Sequence, residues 1–257
     1  MMMVLERYGQ TLLRAMIIMA ASPCAAGAAG CNFTPQGVGR VSAIIDGRTF
    51  RLDDGREVLL AGIESPLARS GKAALAALVE GREVSLQGDS DMPDRYGRQP
   101  AFVFVEADRP VQVALLAQGD ALLSAAVTEK DCARVLRAAE AAARTARRGI
   151  WGESTVIKNA ESPGDILTRI GQFTVVEGLV RSVREVGATT YVNFGRRWTQ
   201  DFAVTISRRM VGAFESAGIS IKSLETRRIR VRGWVEQRNG PRIEALRVGQ
   251  IELVGDD

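Results

Sequence analysis

The residues of this chain that could carry chemistry are carboxylates and arginines, because its 257 residues include no histidine. The absence of an imidazole excludes Ser-His-Asp and Cys-His hydrolysis, histidine-bound zinc and nuclease mechanisms that use a histidine base. The remaining chemistry is that of carboxylates that orient water, guanidinium groups that stabilise negative charge, and a hard cation held by oxygens. A net charge of +4 permits anionic partners but is too small to identify them.

Positive charge is concentrated in the C-terminal part, which holds 15 Lys or Arg against 11 Asp or Glu from residue 165 onward. In a strand predicted over 227–236, alternation places Arg228, Arg230 and Arg232 on one face. The same part of the sequence supplies aromatic side chains: Tyr191, Phe194, Trp198, Phe202 and Trp234. A basic face near aromatic rings is typical of proteins that bind single-stranded nucleic acid. The alternative is that the arginines only solubilise a surface and the aromatics belong to the core.

The first thirty residues predict export. A charged start is followed by an apolar run over 15–21 and by small residues over 25–30, which is the order of a signal peptide. The apolar run is too short to span a membrane. We therefore predict a signal peptide over 1–30, a periplasmic or secreted mature protein, and no transmembrane segment in the mature chain.

Cleavage near Gly30 would leave two cysteines, Cys31 and Cys132, in an oxidising compartment. An even pair in that setting predicts a disulfide. The sequence 28–31 is also similar to a lipoprotein box, which would place a lipid anchor on Cys31 and leave Cys132 free. A third interpretation makes Cys132 a small buried residue on a helix face.

Alternation and turn signals predict the elements that must position these residues. The strands of the first segment are expected over 39–45, 49–52, 57–63, 83–86 and 101–105. Three helices are expected after Ser70, over 111–118 and from Thr128. The predicted fold class is therefore α+β, with a five-stranded barrel and three helices.

A second, smaller β-rich domain is predicted over 169–257, after a linker over 153–168 that is rich in Gly, Ser and Pro. Its pattern gives three strands over 173–183, 189–194 and 201–206, a helix over 208–217, and strands over 227–236 and 242–245. This order is that of an oligonucleotide-binding (OB) fold, although many small α+β domains share it.

Three motifs of the first segment resemble signatures of the staphylococcal nuclease (thermonuclease) family. They are Ile45-Asp46-Gly47-Arg48-Thr49-Phe50-Arg51-Leu52, Leu60-Ala61-Gly62-Ile63-Glu64-Ser65-Pro66 and Asp94-Arg95-Tyr96-Gly97-Arg98. Gln112, Gly119 and Gly149-Ile150-Trp151 also fit. The resemblance covers about 39–151 and implies a five-stranded OB-type barrel with three helices over 31–152. It also implies calcium-dependent hydrolysis of phosphodiesters in DNA or RNA.

The calcium ligands of the family are altered in this sequence. The resemblance places the first calcium aspartate at Arg48 and the second at Glu64. One carboxylate is a poor calcium site, so no cofactor is expected, and Ca²⁺ would bind only if the family site works. We expect Arg48 to form an ion pair with Glu64 in place of the metal. The alternative is a displaced metal site formed by Asp46 and Glu64.

The catalytic positions of the family are altered as well. The resemblance places the catalytic glutamate at Leu67 and the first phosphate arginine at Leu59, while Arg98 keeps the second. Arg98, with a weaker contribution from Glu64, is thus the remaining candidate catalytic residue. The resemblance also places Arg95 and Tyr96 near the terminal phosphate of a bound nucleotide. Otherwise 94–98 is a turn in which Arg98 pairs with Asp94 or Glu64.

These replacements predict a secreted or envelope-associated nuclease-like protein that is catalytically impaired and binds nucleic acid or another polyanion. One alternative is a metal-dependent phosphodiesterase with a remodelled site. The other is a non-enzymatic interaction module of the cell envelope. Whether the protein is an enzyme is therefore left open by the sequence.

Overall fold

The computed structural model describes residues 30–31, 33–66, 68–105, 109–127 and 129–255. The predicted signal peptide, apart from Gly30, lies outside these residues, and so does Leu67. Within the described ranges, no helix is long and apolar enough to cross a membrane.

The N-terminal half contains a closed barrel of five strands in the order β1-β2-β3-β6-β5, with β1 pairing with β5 to close it. All neighbours are antiparallel except β3 and β6, which are parallel. The strands are β1 (Thr34–Ile44), β2 (Thr49–Leu52), β3 (Glu57–Leu60), β5 (Glu83–Gly88) and β6 (Gln99–Phe104), with a separate pair formed by β4 (Ile63–Glu64) and β7 (Leu122–Leu123). This confirms the predicted five-stranded barrel.

Three helices accompany the barrel: α1 (Ala68–Val79), α2 (Val111–Gln118) and α3 (Lys130–Thr145). Helix α2 carries Gln112, whose side chain is fully buried. Its amide nitrogen donates to the carbonyls of Ala101 and Ala61 at 2.9 and 3.3 Å, and its Oε1 accepts from the Val103 N–H at 3.3 Å. A buried amide must find such partners, and here they fix the loop between β3 and β4, which leads to Glu64.

A disulfide joins Cys31, at the start of the described chain, to Cys132 in the first turn of α3. Both residues are buried, and they belong to the same apolar core as the barrel strands. The bond therefore fastens the N-terminal segment to a helix 101 positions later in the sequence.

The C-terminal half forms one large mixed sheet with its own buried core. Its strands are β8 (Ile157–Asn159), β9 (Phe173–Leu179), β10 (Ser182–Val186), β11 (Thr189–Asn193), β12 (Ala203–Ser207), β13 (Arg228–Arg238), β14 (Gly240–Glu244) and β15 (Ile251–Leu253), and its helices are α4 (Pro163–Leu167) and α5 (Arg208–Ser216). The predicted three strands, helix and two strands are all present.

The main strands of this half pair in the same order as those of the first barrel. Strands β9 and β10 are consecutive parts of a bent segment, since the N–H of Val180 donates to Arg227 next to β13 and that of Arg181 donates to Asn193 in β11. The pairs then run β10-β11-β12-β14-β13-β9, with β12 and β14 parallel. The C-terminal half is therefore a second β-rich region whose main strands repeat the pairing order of the first barrel.

The prediction of a linker over 153–168 is wrong. Strand β8 pairs in parallel with β9, and helix α4 follows it. Ala160 and Ile166 are buried in the core of the C-terminal half. The Gly, Ser and Pro residues that suggested a linker are the turn and helix-start residues of these short elements, since Pro163 begins α4.

Candidate functional site

The candidate site is built where the turn between β1 and β2 meets the strand β4. Asp46 shapes this turn, because its Oδ1 accepts the N–H of Arg48 at 2.8 Å. Gly47 allows the turn to lie close to the chain after β4, since a Cβ at this position would be 2.1 Å from Ser65 Oγ. Glu64 is held by the pairing of β4 with Leu122 in β7. These local features bring Arg48 beside Glu64.

Arg48 and Glu64 form the ion pair that we expected from the sequence. The distance from Arg48 Nη1 to Glu64 Oε2 is 2.7 Å, and the same nitrogen is 3.3 Å from the carbonyl oxygen of Ile63. The side chains are only 23% and 14% exposed, so solvent screens the pair less than it would on the surface. The guanidinium thus contacts two oxygens of β4, the Ile63 carbonyl oxygen and a carboxylate oxygen of Glu64. The resemblance places Glu64 at the family's second calcium aspartate.

The charge of Glu64 is set by opposing influences. Burial raises the pKa of Glu64 above its ordinary value, while Arg48 and, more distantly, Arg98 lower it. Burial is the largest influence and decides the direction. Glu64 therefore takes up a proton at a higher pH than a free glutamate would, and mild acid weakens its pair with Arg48.

The residues at this position do not fit a calcium ion. Calcium takes six to eight oxygen ligands, usually with several carboxylates. Here a guanidinium contacts the Glu64 carboxylate, and one oxygen of Asp46 accepts a backbone N–H. Among the described residues, no group of three or more acidic or cysteine side chains is arranged to hold a metal. The structure gives no support to the predicted metal pair of Asp46 and Glu64.

We expect Arg48→Asp to make the protein respond to calcium. The change removes the guanidinium and places a second carboxylate next to Glu64, at the family's first calcium position. At a calcium concentration ten times the Kd, binding stabilises the fold by about 1.4 kcal/mol, which corresponds to a rise in Tm of roughly 3 to 6 °C. Thermal melts in millimolar calcium and in chelator would measure it.

Arg48→Asn is the matched control, because it removes the same positive charge without adding a carboxylate. The unchanged protein and this control are expected to melt at the same temperature with calcium and with chelator. A calcium-dependent rise in the Tm of the unchanged protein would contradict our interpretation of the site.

Arg95, Tyr96 and Arg98 lie together on a turn after β5. The guanidinium groups of Arg95 and Arg98 lie 4.8 and 5.2 Å from the centre of the Tyr96 ring, which is 65% exposed. Gly97 has a φ of 80°, a conformation that glycine adopts without strain. The turn therefore presents the Tyr96 ring and Arg95 to solvent, while Arg98 is partly buried behind them.

Arg98 is also paired with Asp94, as in the alternative interpretation of this motif. Its Nε and Nη2 donate to Asp94 Oδ2 at 2.9 and 2.7 Å. Desolvation alone would raise the pKa of Asp94, but the side-chain and backbone hydrogen bonds of Arg98 outweigh it and lower the pKa. Asp94 therefore stays ionised and orients Arg98, while Arg95 is free of ion pairs within the described part of the chain.

A cavity of about 320 Å³ lies next to the Arg48–Glu64 pair. Its remaining wall is largely apolar and includes Phe33, Leu59, Met92, Phe102 and Val127. Leu59, which the resemblance places at the family's first phosphate arginine, contributes an alkyl surface to this wall. Leu67, at the position of the catalytic glutamate, lies outside the described residues.

A second cavity, of about 250 Å³, lies on another side of Glu64 between the two halves of the chain. The C-terminal half supplies Arg169, Phe173 and Trp234 to its wall. Sequence reasoning missed this contribution. The only signal was Trp234, an aromatic residue that alternation places on the same face of β13 as the arginines.

Two of the three arginines predicted to form a basic binding face are buried, so the prediction is wrong for them. Arg230 and Arg232 are 8% and 3% exposed, and only Arg228 is largely accessible. Arg230 pairs with Glu177 and Glu252 at 2.8 and 2.9 Å. The alternation was right, but at Arg230 and Arg232 this face of β13 packs against acidic side chains and is closed to solvent.

Arg232 connects the two halves of the chain. Its Nη1 lies 3.0 and 2.8 Å from the carboxylate oxygens of Glu140 in α3, which has no exposed surface, and 3.0 Å from the carbonyl of Leu123. Glu140 also accepts the N–H of Leu123 at 2.7 Å. This arginine is part of the fold and does not offer its charge to a ligand.

Comparison with known proteins agrees with the geometry of the first half. The family described as "Staphylococcal nuclease homologue" matches residues 54–153. No curated protein matches the chain. The matched residues include β3 to β6, the helices α1 to α3, Glu64 and the turn that carries Arg98. Residues 54–153 are therefore similar to the staphylococcal nuclease family, and they lie in the half of the chain that forms a closed five-stranded barrel.

Proposed function

We propose that this protein is an exported, catalytically impaired relative of the staphylococcal nucleases that binds nucleic acid or another polyanion without cutting it. The observation that carries the proposal is the contact between Arg48 and Glu64. A guanidinium 2.7 Å from the carboxylate places a fixed positive charge where the family would hold calcium. Unlike calcium, it cannot coordinate a water molecule and a phosphate oxygen together.

The loss of further groups supports impaired catalysis. Phosphodiester hydrolysis in this family depends on positioned charges, and the loss of one such group typically lowers the rate by ~10²- to 10³-fold. Leu59 and Leu67 replace an arginine and the glutamate that positions water. The losses do not add independently, but Arg98 alone can stabilise charge and cannot activate water.

Binding can survive these losses because it needs fewer groups than cleavage. Arg95 and Tyr96 are exposed on the turn after β5, and Arg98 lies behind them. A guanidinium binds a phosphate through charge-assisted hydrogen bonds, and an exposed aromatic ring can stack on a base. This turn is the part of the family site that we propose still contacts the ligand.

The disulfide supports export to an oxidising compartment, since such bonds are rare in the reducing cytosol. It also bears on the lipid anchor, because the sulfur of Cys31 cannot form a thioether to a diacylglyceryl group while it is bonded to the sulfur of Cys132. We propose a soluble periplasmic or secreted protein rather than a lipoprotein.

The test is a cleavage and binding assay with protein that begins at Cys31. We expect no cleavage of fluorescent single- or double-stranded DNA in calcium or in chelator. We expect the same DNA to be retained at low salt and released at high salt. Binding releases the counterions condensed on the DNA phosphates, and a high salt concentration opposes that release. Arg95→Ala should weaken retention about three- to tenfold at low salt, whereas Arg134→Ala on the solvent face of α3 should not.

Two outcomes would favour the other functions. Cleavage that needs calcium and disappears in Arg98→Ala would show a phosphodiesterase with a remodelled site. A folded protein that neither cuts nor retains DNA or dextran sulfate at low salt would contradict the proposal and favour an interaction module of the envelope.

A further inference from the structure

The loop between β11 and β12 presents a basic and aromatic surface far along the chain from the nuclease-family site. Arg196, Arg197 and Trp198 follow one another in this loop, and all three are exposed. Trp198 is 70% exposed, so its ring is accessible to a ligand beside the two arginines.

The conformation of this loop is fixed by its own residues. Asp201 Oδ2 accepts the N–H of Arg197 at 2.7 Å, and the carbonyl of Arg197 accepts the N–H groups of Gln200 and Asp201, both at 2.8 Å. Gly195 lets the carboxylate come this close, since a Cβ there would lie 2.1 Å from Asp201 Oδ2. The loop therefore holds Trp198 outward in an ordered turn, which lowers the entropy lost on binding.

The hairpin turn between β13 and β14 packs against this loop and adds a third arginine. A Cβ on Gly240 would lie 2.5 Å from the carbonyl oxygen of Asp201 and within 2.9 Å of Gln200, so only glycine permits the contact. Arg238, two residues earlier, is exposed. We call Arg196, Arg197, Trp198 and Arg238 the Arg-Trp surface.

The charges of the Arg-Trp surface are available to a ligand. Of the ion pairs found in the described ranges, none involves Arg196, Arg197 or Arg238. The nearby acidic groups are already engaged: Asp201 accepts a backbone N–H, and Glu236 pairs with Arg242 at 2.8 Å. The Arg-Trp surface therefore keeps a net positive charge.

We propose that the Arg-Trp surface binds single-stranded nucleic acid, with a base stacked on Trp198 and phosphates bound by the arginines. Stacking on an exposed ring requires an unpaired base, and a positively charged track holds the backbone. Insertion into a membrane would need more apolar surface, and Trp198 is the one large exposed hydrophobic side chain in 194–202 and 238–240. The inference rests on the proposed function, because it gives the same ligand a second region of contact.

The test measures the affinity of the full mature protein for a fluorescent oligothymidylate over a range of salt concentrations. Arg196→Ala combined with Arg197→Ala is expected to weaken binding at least tenfold at low salt. The plot of log K against log salt concentration should also become less steep, its slope decreasing in magnitude by about 1.4. The control combines Arg134→Ala and Arg137→Ala, which removes the same charge from the exposed face of α3. This control should leave the affinity nearly unchanged.

Trp198→Ala separates stacking from simple attraction of charge. It is expected to weaken oligothymidylate binding about 5- to 100-fold, to leave binding of dextran sulfate unchanged, and to be largely rescued by Trp198→Phe. Binding of anionic phospholipid vesicles through Trp198, without binding of the oligonucleotide, would overturn the proposal in favour of a membrane surface.

The two proposals can fail separately. If Arg95→Ala abolishes oligonucleotide binding while the Arg-Trp variants bind normally, the Arg-Trp proposal is wrong and the proposed function stands. If the unchanged protein binds dextran sulfate but no oligonucleotide at low salt, the Arg-Trp proposal is wrong and the proposed function stands for another polyanion. If it binds neither, both are wrong. If the Arg-Trp variants lose binding and Arg95→Ala does not, nucleic acid binds through the C-terminal half alone.

Discussion

Replacing Arg232 by methionine is expected to lower the free energy of unfolding by about 3 to 5 kcal/mol. The change leaves the carboxylate of Glu140, which has no exposed surface, without its main cationic partner. Arg144 is 3.9 Å away and can replace only part of the interaction. Urea denaturation followed by circular dichroism would measure the loss, and two-state behaviour should be checked because the chain has two halves.

Two further variants separate a lost ion pair from lost packing. Combining Arg232→Met with Glu140→Gln is expected to recover much of the stability, since an uncharged amide is less costly to bury and its oxygen can still accept the N–H of Leu123. Arg228→Met, on the exposed part of the same strand, should cost less than about 1 kcal/mol. Equal losses for Arg232→Met and Arg228→Met would contradict the assignment.

The same variant tests where nucleic acid binds. Because the Arg232 side chain is buried between its own strand β13 and helix α3, Arg232→Met should leave the salt dependence of binding unchanged under conditions in which the variant is folded.

Glu252, which neighbours Arg232, is ionised in the contact between the two halves. Desolvation alone would raise the pKa of Glu252, but Arg230, Arg144 and Arg232 outweigh it and lower the pKa. Opposite charges thus compensate one another in the contact between the two halves.

Removing the disulfide with Cys31→Ala and Cys132→Ala together is expected to lower the free energy of unfolding by about 2 to 4 kcal/mol. The bond closes a segment of 101 positions, and constraint of the unfolded chain grows with the length closed. Alanine is the suitable replacement because both cysteines are buried. Dithiothreitol should destabilise the unchanged protein by a similar amount and leave the variant unaffected.

The chemistry at Cys31 can be read independently of stability. If the proposed export takes place, protein isolated from its host should have two hydrogens fewer than the reduced chain that begins at Cys31 and no free thiol at Cys132. An added acyl mass and a Cys132 that reacts with maleimide would show a lipoprotein and contradict the disulfide. An unchanged Tm in dithiothreitol, with the disulfide shown to be reduced, would contradict the expected stabilisation.

The sequence by itself determined the first barrel and predicted the ion pair between Arg48 and Glu64. Strand alternation, turn residues and the motifs around Asp46, Glu64 and Arg98 are local, so they can be read from neighbouring residues. The resemblance puts Arg48 at an aspartate position of the family, and it also predicted the partner of Arg48. The reason is that the family fold places the position of Glu64 opposite that of Arg48.

Only the tertiary structure decided which elements cover each face of the C-terminal strands. Alternation correctly put Arg230 and Arg232 on one side of β13, yet it carries no information about the helix α3 that brings Glu140 against that side. For the same reason, β8 and α4 were mistaken for a linker, since elements this short are stabilised by packing on β9 and not by their own pattern. Exposure of Arg196 and Trp198 likewise depends on which elements pack beside their loop, and the hairpin at Gly240 packs against Asp201 on one side of it.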